Sequence, residues 1–332
     1  MYFLLGISLT LAFLLIVNMA AAVLATGWWR LMSRPILTLS VNTCARVIFM
    51  LRIGPVAAAL VFISAFVVPA YLLLEPEESG EVVSGKLAII AFVSSVTVCI
   101  ALYRVFKTGM VTRRLALNWQ KNATRIAVDG VDVPVFRIVH TFPVMAVVGI
   151  IRPRIFIAEQ VLAALGPDEF RAAIAHEYGH LRANDNFKRT ILRVCRDLVI
   201  LPVGTSLDRA WAESAESAAD AYAASKGRST ALNLASALIK LARIAPKNTG
   251  PAVSLGSCLI SEQSGDVTER VRRLVRISEE TSPTRMPFLH GFQTASWVWS
   301  GALTLLLVLH LSDQRLLLTT HDAIEHFVRI LQ

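Results

Sequence analysis

Long apolar stretches without a charged side chain lie near both ends of the chain. They cover residues 1–29, 53–74, 87–103 and 291–312. Because about 20 apolar residues in a helix cross the hydrocarbon core of a bilayer, the first, second and fourth stretches are long enough and the third is slightly short. The pattern predicts an α-helical multi-pass membrane protein with about four spans.

The first stretch has a second interpretation, since small residues near its end resemble a signal-peptide cleavage site. It lacks a basic leading segment, however, and its apolar run is longer than the usual signal core. We therefore expect a retained span.

Between the third and fourth stretches the pattern first becomes that of short strands. Residues 124–139 alternate apolar and polar positions around Asp129–Gly130, a dipeptide typical of tight hairpin turns. Two apolar runs follow, at 144–150 and 154–158. These segments predict a small sheet.

Helical patterns follow the predicted sheet. One covers residues 167–183, where Pro167 directly after Gly166 suits a helix start, and another covers 206–227, from a capping Ser206 to a terminating glycine. The interval 187–203 carries five charged residues and predicts a peripheral amphipathic helix rather than a span. Strands and helices together predict one α+β domain.

Charge next to the apolar stretches predicts their orientation, because cytoplasmic loops are enriched in Lys and Arg. The connection between the second and third stretches is acidic, which suits the outer side of the membrane. The first predicted cytoplasmic segment carries basic residues and no acid, and the second carries six basic residues before its first acid; they are Arg30, Arg34, Arg46 and Arg52 in the first and Arg104, Lys107, Arg113, Arg114, Lys121 and Arg125 in the second.

The predicted organisation has four parts. Residues 1–106 hold three spans, 107–290 form the cytoplasmic domain, 291–312 are the fourth span, and 313–332 are a short extracytoplasmic tail. Such a chain would lie in the cytoplasmic (inner) membrane of a bacterium.

Composition supports the membrane prediction. The chain is 55% hydrophobic and 17% charged, which is too apolar for an ordinary soluble domain. The net charge of +9 would also suit nucleic acid. The basic residues cluster beside spans, however, and Arg270, Arg272, Arg273 and Arg276 interleave with apolar residues as in a membrane-surface helix, so we expect lipid contact and no direct nucleic-acid partner.

The sequence HEYGH, residues 176–180, carries the clearest chemistry. Residues four apart on a helix lie on one face, so His176 and His180 can offer ring nitrogens to one metal ion while Glu177 lies beside it. Two polar residues on an ordinary helix would be the alternative. An H-E-x-x-H sequence that occurs by chance on a predicted helix is rare.

A third ligand is expected from the helix over 206–227. Glu213, Glu216 and Asp220 share one face of it. We assign Glu216 as the ligand and Asp220 as the acceptor that orients a ligating histidine, with Glu213 in reserve. Acids on one helix face are more often simply solvated, but here they lie among Trp and Ala residues typical of a packed helix.

The segments HEYGHLRANDN, WAESAESAAD and VGIIRPRIFIAEQVL resemble the BlaR/MecR family of membrane zinc metallopeptidases, the β-lactam sensor-transducers. The resemblance implies His176, His180 and Glu216 as zinc ligands, Glu177 as the catalytic glutamate and Asp185 as a brace for the helix end. It covers most of the chain but includes no extracellular penicillin-binding domain. The ESAAD sequence is also similar to the HtpX and CAAX-protease families.

These residues predict a zinc endopeptidase at the cytoplasmic face. The resemblance implies that its protein or peptide substrate is a transcriptional repressor or a membrane protein. A quality-control protease of the HtpX type would use the same residues, and a non-catalytic membrane scaffold would need no zinc. We also expect the run at 144–149 to be a free sheet edge to which a substrate strand can add.

Overall fold

The computed structural model describes residues 2–74, 83–244, 256–258, 267–279 and 313–331. The predicted fourth span and most of the acidic connection lie outside the described residues. Three helical segments lead the chain: α1 (Tyr2–Leu37), then α2 (Val41–Phe62) continuing through a π-helical turn into α3 (Val68–Leu74), then α4 (Gly85–Lys121).

These three helical segments are long and apolar enough to cross a membrane, and they contain the first three predicted stretches. The π-helical turn at Ile63–Val67 ends two residues before Pro69. Proline has no N–H to donate and its ring clashes with the carbonyl four residues earlier, which explains the local widening of the helix.

The helices extend beyond the charge-free stretches. The predicted basic connection after the first span is helical except for three residues, because α1 ends at Leu37 and α2 begins at Val41 after the capping Ser40. Likewise, α4 runs without a break through residue 106, where we placed a domain boundary. Arginine favours helices and extends its charge away from apolar surface, so a span can continue into a basic helix.

The sheet contains β1 (Thr124–Ile126), β2 (Val135–Ile138), β3 (Met145–Val148), β4 (Arg154–Ala158) and β5 (Gly256–Cys258). Its strand order is β1-β2-β4-β3-β5, with β2 and β4 parallel and the other pairs antiparallel. The hairpin predicted around Asp129–Gly130 is present as the β1–β2 pair, and Gly130 has the positive φ that such a turn requires.

Helices cover both faces of this sheet. The other helices within the described residues are α5 (Glu159–Ala164), α6 (Pro167–Ala183), α7 (Asp185–Asp197), α8 (Thr205–Ala224), α9 (Arg228–Ile244), α10 (Val267–Glu279) and α11 (Gln314–Leu331). One face packs on α6 and α9, and the other packs on the C-terminal end of α4 through Ala116 and Trp119. Every residue of β3 is buried, which places this strand directly beneath α6.

The part of the chain that contains the sheet contacts the N-terminal apolar helices through α8. Arg52 of α2 is almost fully buried, and its Nε donates to Oδ1 of Asp208 at 2.8 Å. Phe49 packs near Trp211 in the same cluster. Arg52 is therefore part of an internal contact and not of an exposed loop. At the other end of the bundle, the predicted tail forms α11, whose Ile324 and Val328 pack with Leu5 and Leu9 of α1.

Candidate metal centre

The helix α6 is held at both ends by local interactions. Pro167 occupies its first turn, and Oε2 of Glu169 accepts a hydrogen bond from the N–H of Gly166 at 2.7 Å. Asn184 ends the helix in the left-handed conformation, with φ of 55°, and α7 begins directly afterwards. This sharp turn brings the start of α7 back against the last turn of α6.

The side chains of His176, His180 and Glu216 meet between α6 and α8 and are all buried. The Nε2 atoms of the two histidines are 3.2 Å apart. One oxygen of Glu216 lies 3.5 Å from Nε2 of His180 and the other lies 3.6 Å from Nε2 of His176. The three residues thus form a triangle of potential ligand atoms, one from each side chain, that all lie within 4.8 Å of one another.

This triangle fits a tetrahedral metal ion. Zinc bonds of about 2.0–2.1 Å at tetrahedral angles place neighbouring ligand atoms about 3.3 Å apart. Oε2 of Glu216 is buried, and it has no hydrogen-bond partner within the described part of the chain. Two imidazoles and one carboxylate are also the donor set of catalytic zinc sites that keep a fourth position open. The residues present therefore suit zinc.

Each histidine has a carboxylate behind its other ring nitrogen. Nδ1 of His180 is 2.7 Å from Oδ2 of Asp185, and Nδ1 of His176 is 2.9 Å from Oδ1 of Asp220. Such a partner favours the proton on Nδ1 and leaves the lone pair of Nε2 for a metal. We expected Asp185 to brace the helix end, but its carboxylate contacts the ring of His180.

The charge around these rings favours a bound cation. Burial lowers the pKa of His180, but the negative charges of Glu216 and Asp185 outweigh it and raise the pKa to about 10. Burial also disfavours the charged form of Glu216, yet the two histidines and Arg270 hold its pKa well below the usual range. The carboxylate of Glu216 is therefore ionised and able to bind a metal at neutral pH.

The site has a basic outer layer that we did not predict. Arg270 of α10 is 4% exposed, and it donates to both oxygens of Asp220, at 3.1 and 2.7 Å. Its Nη1 also lies 3.4 Å from Oε2 of Glu216. Arg273 donates to Asp220 at 2.7 Å and to the hydroxyl of Ser217.

The prediction that the arginines of α10 face lipid is therefore wrong for Arg270 and Arg273, whereas Arg272 and Arg276 are exposed. A buried carboxylate is costly unless it is paired. The predicted place of Asp220 is buried beside a ligating histidine, and a carboxylate buried there needs a nearby cation. That requirement was the sequence signal for Arg270.

Glu177 lies beside the triangle and is fully buried. Its Oε2 accepts a hydrogen bond from the N–H of Val147 in β3 at 3.2 Å. Burial raises the pKa of Glu177 to about 7, although the charges of His176 and His180 oppose this. A carboxyl group with this pKa can both take up and return a proton near neutral pH.

The strand β3 is fixed against the site from a second direction. Nδ2 of Asn186, at the start of α7, donates to the carbonyls of Val147 and Gly149 at 3.0 and 3.1 Å. Our prediction that this strand is a free edge is wrong, because β5 pairs with it through Ala146↔Cys258 and Val148↔Gly256. The short GSC segment of β5 has no strand-like pattern that would have indicated this pairing.

Close packing of α6 on α8 brings the ligands together. A Cβ added at Gly179 would lie 3.1 Å from Cα of Ala219 and 3.3 Å from the side chain of Tyr222. Only glycine allows the two backbones to approach this closely. Glu213, the reserve ligand, is exposed although it is one turn from the buried Glu216 on α8.

Residues 144–245 match Peptidase family M48. The matched segment contains His176, Glu177, His180, Glu216 and Asp220, and it ends before α10. This part of the chain therefore has the character of a metallopeptidase domain, attached to helices that can cross a membrane. No curated protein matches the chain. The finer resemblance to the BlaR/MecR proteins stays a prediction.

Proposed function

We propose that the chain is an integral-membrane zinc endopeptidase. The observation that carries the proposal is the buried triangle of His176, His180 and Glu216 next to the carboxylate of Glu177, inside the segment similar to M48 peptidases. A non-catalytic scaffold gives no reason to bury four titratable side chains with their ligand atoms facing one another, because burying such groups is costly.

The chemistry follows from the placement of these residues. Zinc at the triangle would polarise the scissile carbonyl and lower the pKa of a bound water. Glu177 takes the proton of the attacking water and passes it to the leaving amine, and its pKa of about 7 suits both transfers. The N–H of Val147 holds the carboxylate in place, and Asp185 and Asp220 hold the two imidazole rings.

We place the catalytic domain on the cytoplasmic side. The basic residues at the domain-side ends of α1 and α4 support this orientation, because such residues are enriched in cytoplasmic segments. The membrane would be the cytoplasmic membrane of a bacterium, and the substrates would be proteins that come close to its inner face.

Within this class we favour signal-transducing proteolysis of a repressor or membrane regulator, on the basis of the BlaR/MecR resemblance. Quality control of membrane proteins, as in HtpX-like proteases, uses the same residues. The two roles differ in substrate range: a signalling protease cleaves few proteins, and a quality-control protease cleaves many damaged ones.

The proposal is tested by a matched pair of glutamates on α8. Glu216→Ala removes a ligand from the buried triangle, whereas Glu213→Ala changes an exposed side chain on the same helix. We expect the first variant to lose most of its zinc and its peptide hydrolysis, because two protein ligands rarely hold zinc tightly. The second should retain both. Zinc content measured on purified full-length protein decides, and a fully loaded Glu216→Ala variant would contradict the proposal.

A further inference from the structure

A groove of about 480 Å³ lies between α4 and the end of α7. On α4 its wall includes Phe92, Val96 and Ile100, which are partly exposed and follow helical spacing along one face. Val199 and Ile200, in the connection from α7 to α8, form the opposite wall. The groove is separate from the metal centre, and nothing in the peptidase chemistry uses it.

The position of the groove along the spans can be read from α1 and α4. Leu5 of α1 and Leu87 of α4 belong to one packing cluster, so both helices start near the same end of the bundle. Thirteen residues later in each helix come Asn18 and Ile100. Nδ2 of Asn18 donates to the carbonyl of Leu198 at 2.9 Å, so the connection after α7 reaches the level of Ile100.

That level lies within the apolar part of the bundle. Residues 87–103 of α4 carry no charge, and Asn18 lies ten and eleven residues before the tryptophans at 28 and 29. Ile200 and Leu201 are each 54% exposed there, next to apolar helix surface. Exposed apolar residues at this depth face hydrocarbon and not water. The groove is thus open to the acyl chains of one leaflet.

The domain-side end of the groove is positively charged. Nη1 of Arg104 donates to Oδ1 of Asp197 at 2.6 Å, which neutralises one guanidinium. Arg196 lines the same end and has no ion-pair partner within the described ranges. Burial lowers the pKa of Arg193, and the nearby positive charge of Arg196 lowers it further, so a second arginine of α7 lies close to Arg196.

An apolar groove with a cationic end matches an anionic amphiphile. From Phe92 to Arg104 the groove follows about 18 Å of α4, at about 1.5 Å per residue, and half of a hydrocarbon core is about 15 Å thick. We propose that this groove binds one anionic phospholipid, with an acyl chain along α4 and the phosphate at Arg196. The lipid would link α4 to the connection between α7 and α8. Asp185 of α7 and Glu216 of α8 belong to the metal centre.

The occupant can be identified by photocrosslinking in the full chain. p-Benzoylphenylalanine placed at Val96, in membranes, should give an adduct with the mass of a phospholipid. The same group placed at Leu102, on a face of α4 outside the groove, controls for general lipid contact and should give a weaker adduct. If the adduct from Val96 is instead a peptide of this chain, from the same or a second copy, the proposal is wrong.

Lipid selectivity gives an independent test. Palmitoyl-oleoyl phosphatidylglycerol and phosphatidylcholine are titrated onto purified full-length protein in detergent, and bound lipid is counted by native mass spectrometry. We expect tighter binding of phosphatidylglycerol and a loss of about fivefold for it in Arg196→Gln, the factor expected for one basic residue at an anionic lipid. Arg114→Gln, an exposed arginine on α4, should change nothing.

Two tryptophan substitutions on α4 test the apolar part of the groove. Ile100→Trp fills it and should reduce binding of both lipids, while Leu102→Trp, which enlarges an exposed residue of α4 outside the groove, should not. Equal binding in these two variants, or no preference for phosphatidylglycerol in the unmodified protein, would overturn the proposal. Unchanged zinc content in each variant shows that its fold is intact.

Discussion

Replacing Gly179 with alanine should weaken zinc binding without touching any ligand. The added Cβ would lie 3.1 Å from Cα of Ala219, closer than ordinary van der Waals contact, so α8 must move away from α6 by a few tenths of an ångström. Metal sites tolerate only about 0.2 Å of error in ligand distance. Because Glu216 is on α8 and both histidines are on α6, the shift opens the triangle.

The free-energy change caused by Gly179→Ala has two opposing parts. Overpacking costs about 1–3 kcal/mol, and replacing a glycine inside a helix by alanine returns about 0.5–1 kcal/mol. The net loss of about 1 kcal/mol corresponds to a zinc affinity lower by about fivefold. Gly109→Ala is the control, because nothing lies within 4 Å of its added Cβ on α4. It should leave zinc affinity unchanged.

The assay is a zinc titration of purified full-length protein against a competing chelator. Wild type, Gly179→Ala and Gly109→Ala are compared at one pH and in one detergent. If Gly179→Ala binds zinc as tightly as wild type, the close approach of α6 and α8 does not set the ligand geometry, and the reasoning is refuted.

Two further predictions concern charge. Zinc binding should release about one proton per ion at pH 8, because His180, with a pKa raised to about 10, is protonated before the metal binds. The apparent affinity for zinc should therefore rise with pH until about pH 10. Calorimetry in two buffers of different ionisation enthalpy measures the release, and a pH-independent affinity would contradict it. For orientation, a reporter fused after Lys121 should behave as cytoplasmic and one fused at Gln332 as extracytoplasmic, whereas the reverse pattern would place the metal centre outside.

Local sequence signals were sufficient for the central helices of the site. The spacing of His176 and His180 and the start at Pro167 depend on helix geometry alone, so α6 could be predicted with its face toward the metal. The same holds for Glu216 and Asp220 on α8. Apolar runs likewise predicted the first three helices that are long and apolar enough to cross a membrane, although charged residues at their ends concealed how far each helix continues.

Contacts between distant segments could not be read from local patterns. The pairing of β5 with β3 depends on backbone hydrogen bonds that the GSC sequence does not signal. Arg270 and Arg52 have similar local patterns, a basic residue among apolar ones, and both proved to be internal partners of carboxylates on α8. An interleaved arginine pattern fits a membrane-surface helix and a buried ion pair equally well, so only the fold separates them.

The central claim is that Glu177 performs proton transfer at a zinc site, and Glu177→Gln tests it most directly. The amide retains the size of the side chain and can still accept from the N–H of Val147, so fold and zinc content should persist. Hydrolysis of a membrane-protein substrate by purified, zinc-loaded protein should fall by at least about a hundredfold, the scale of a lost general base. Glu213→Gln, on an exposed face of α8, should hydrolyse at the wild-type rate. Wild-type hydrolysis by the Glu177→Gln variant would contradict the account.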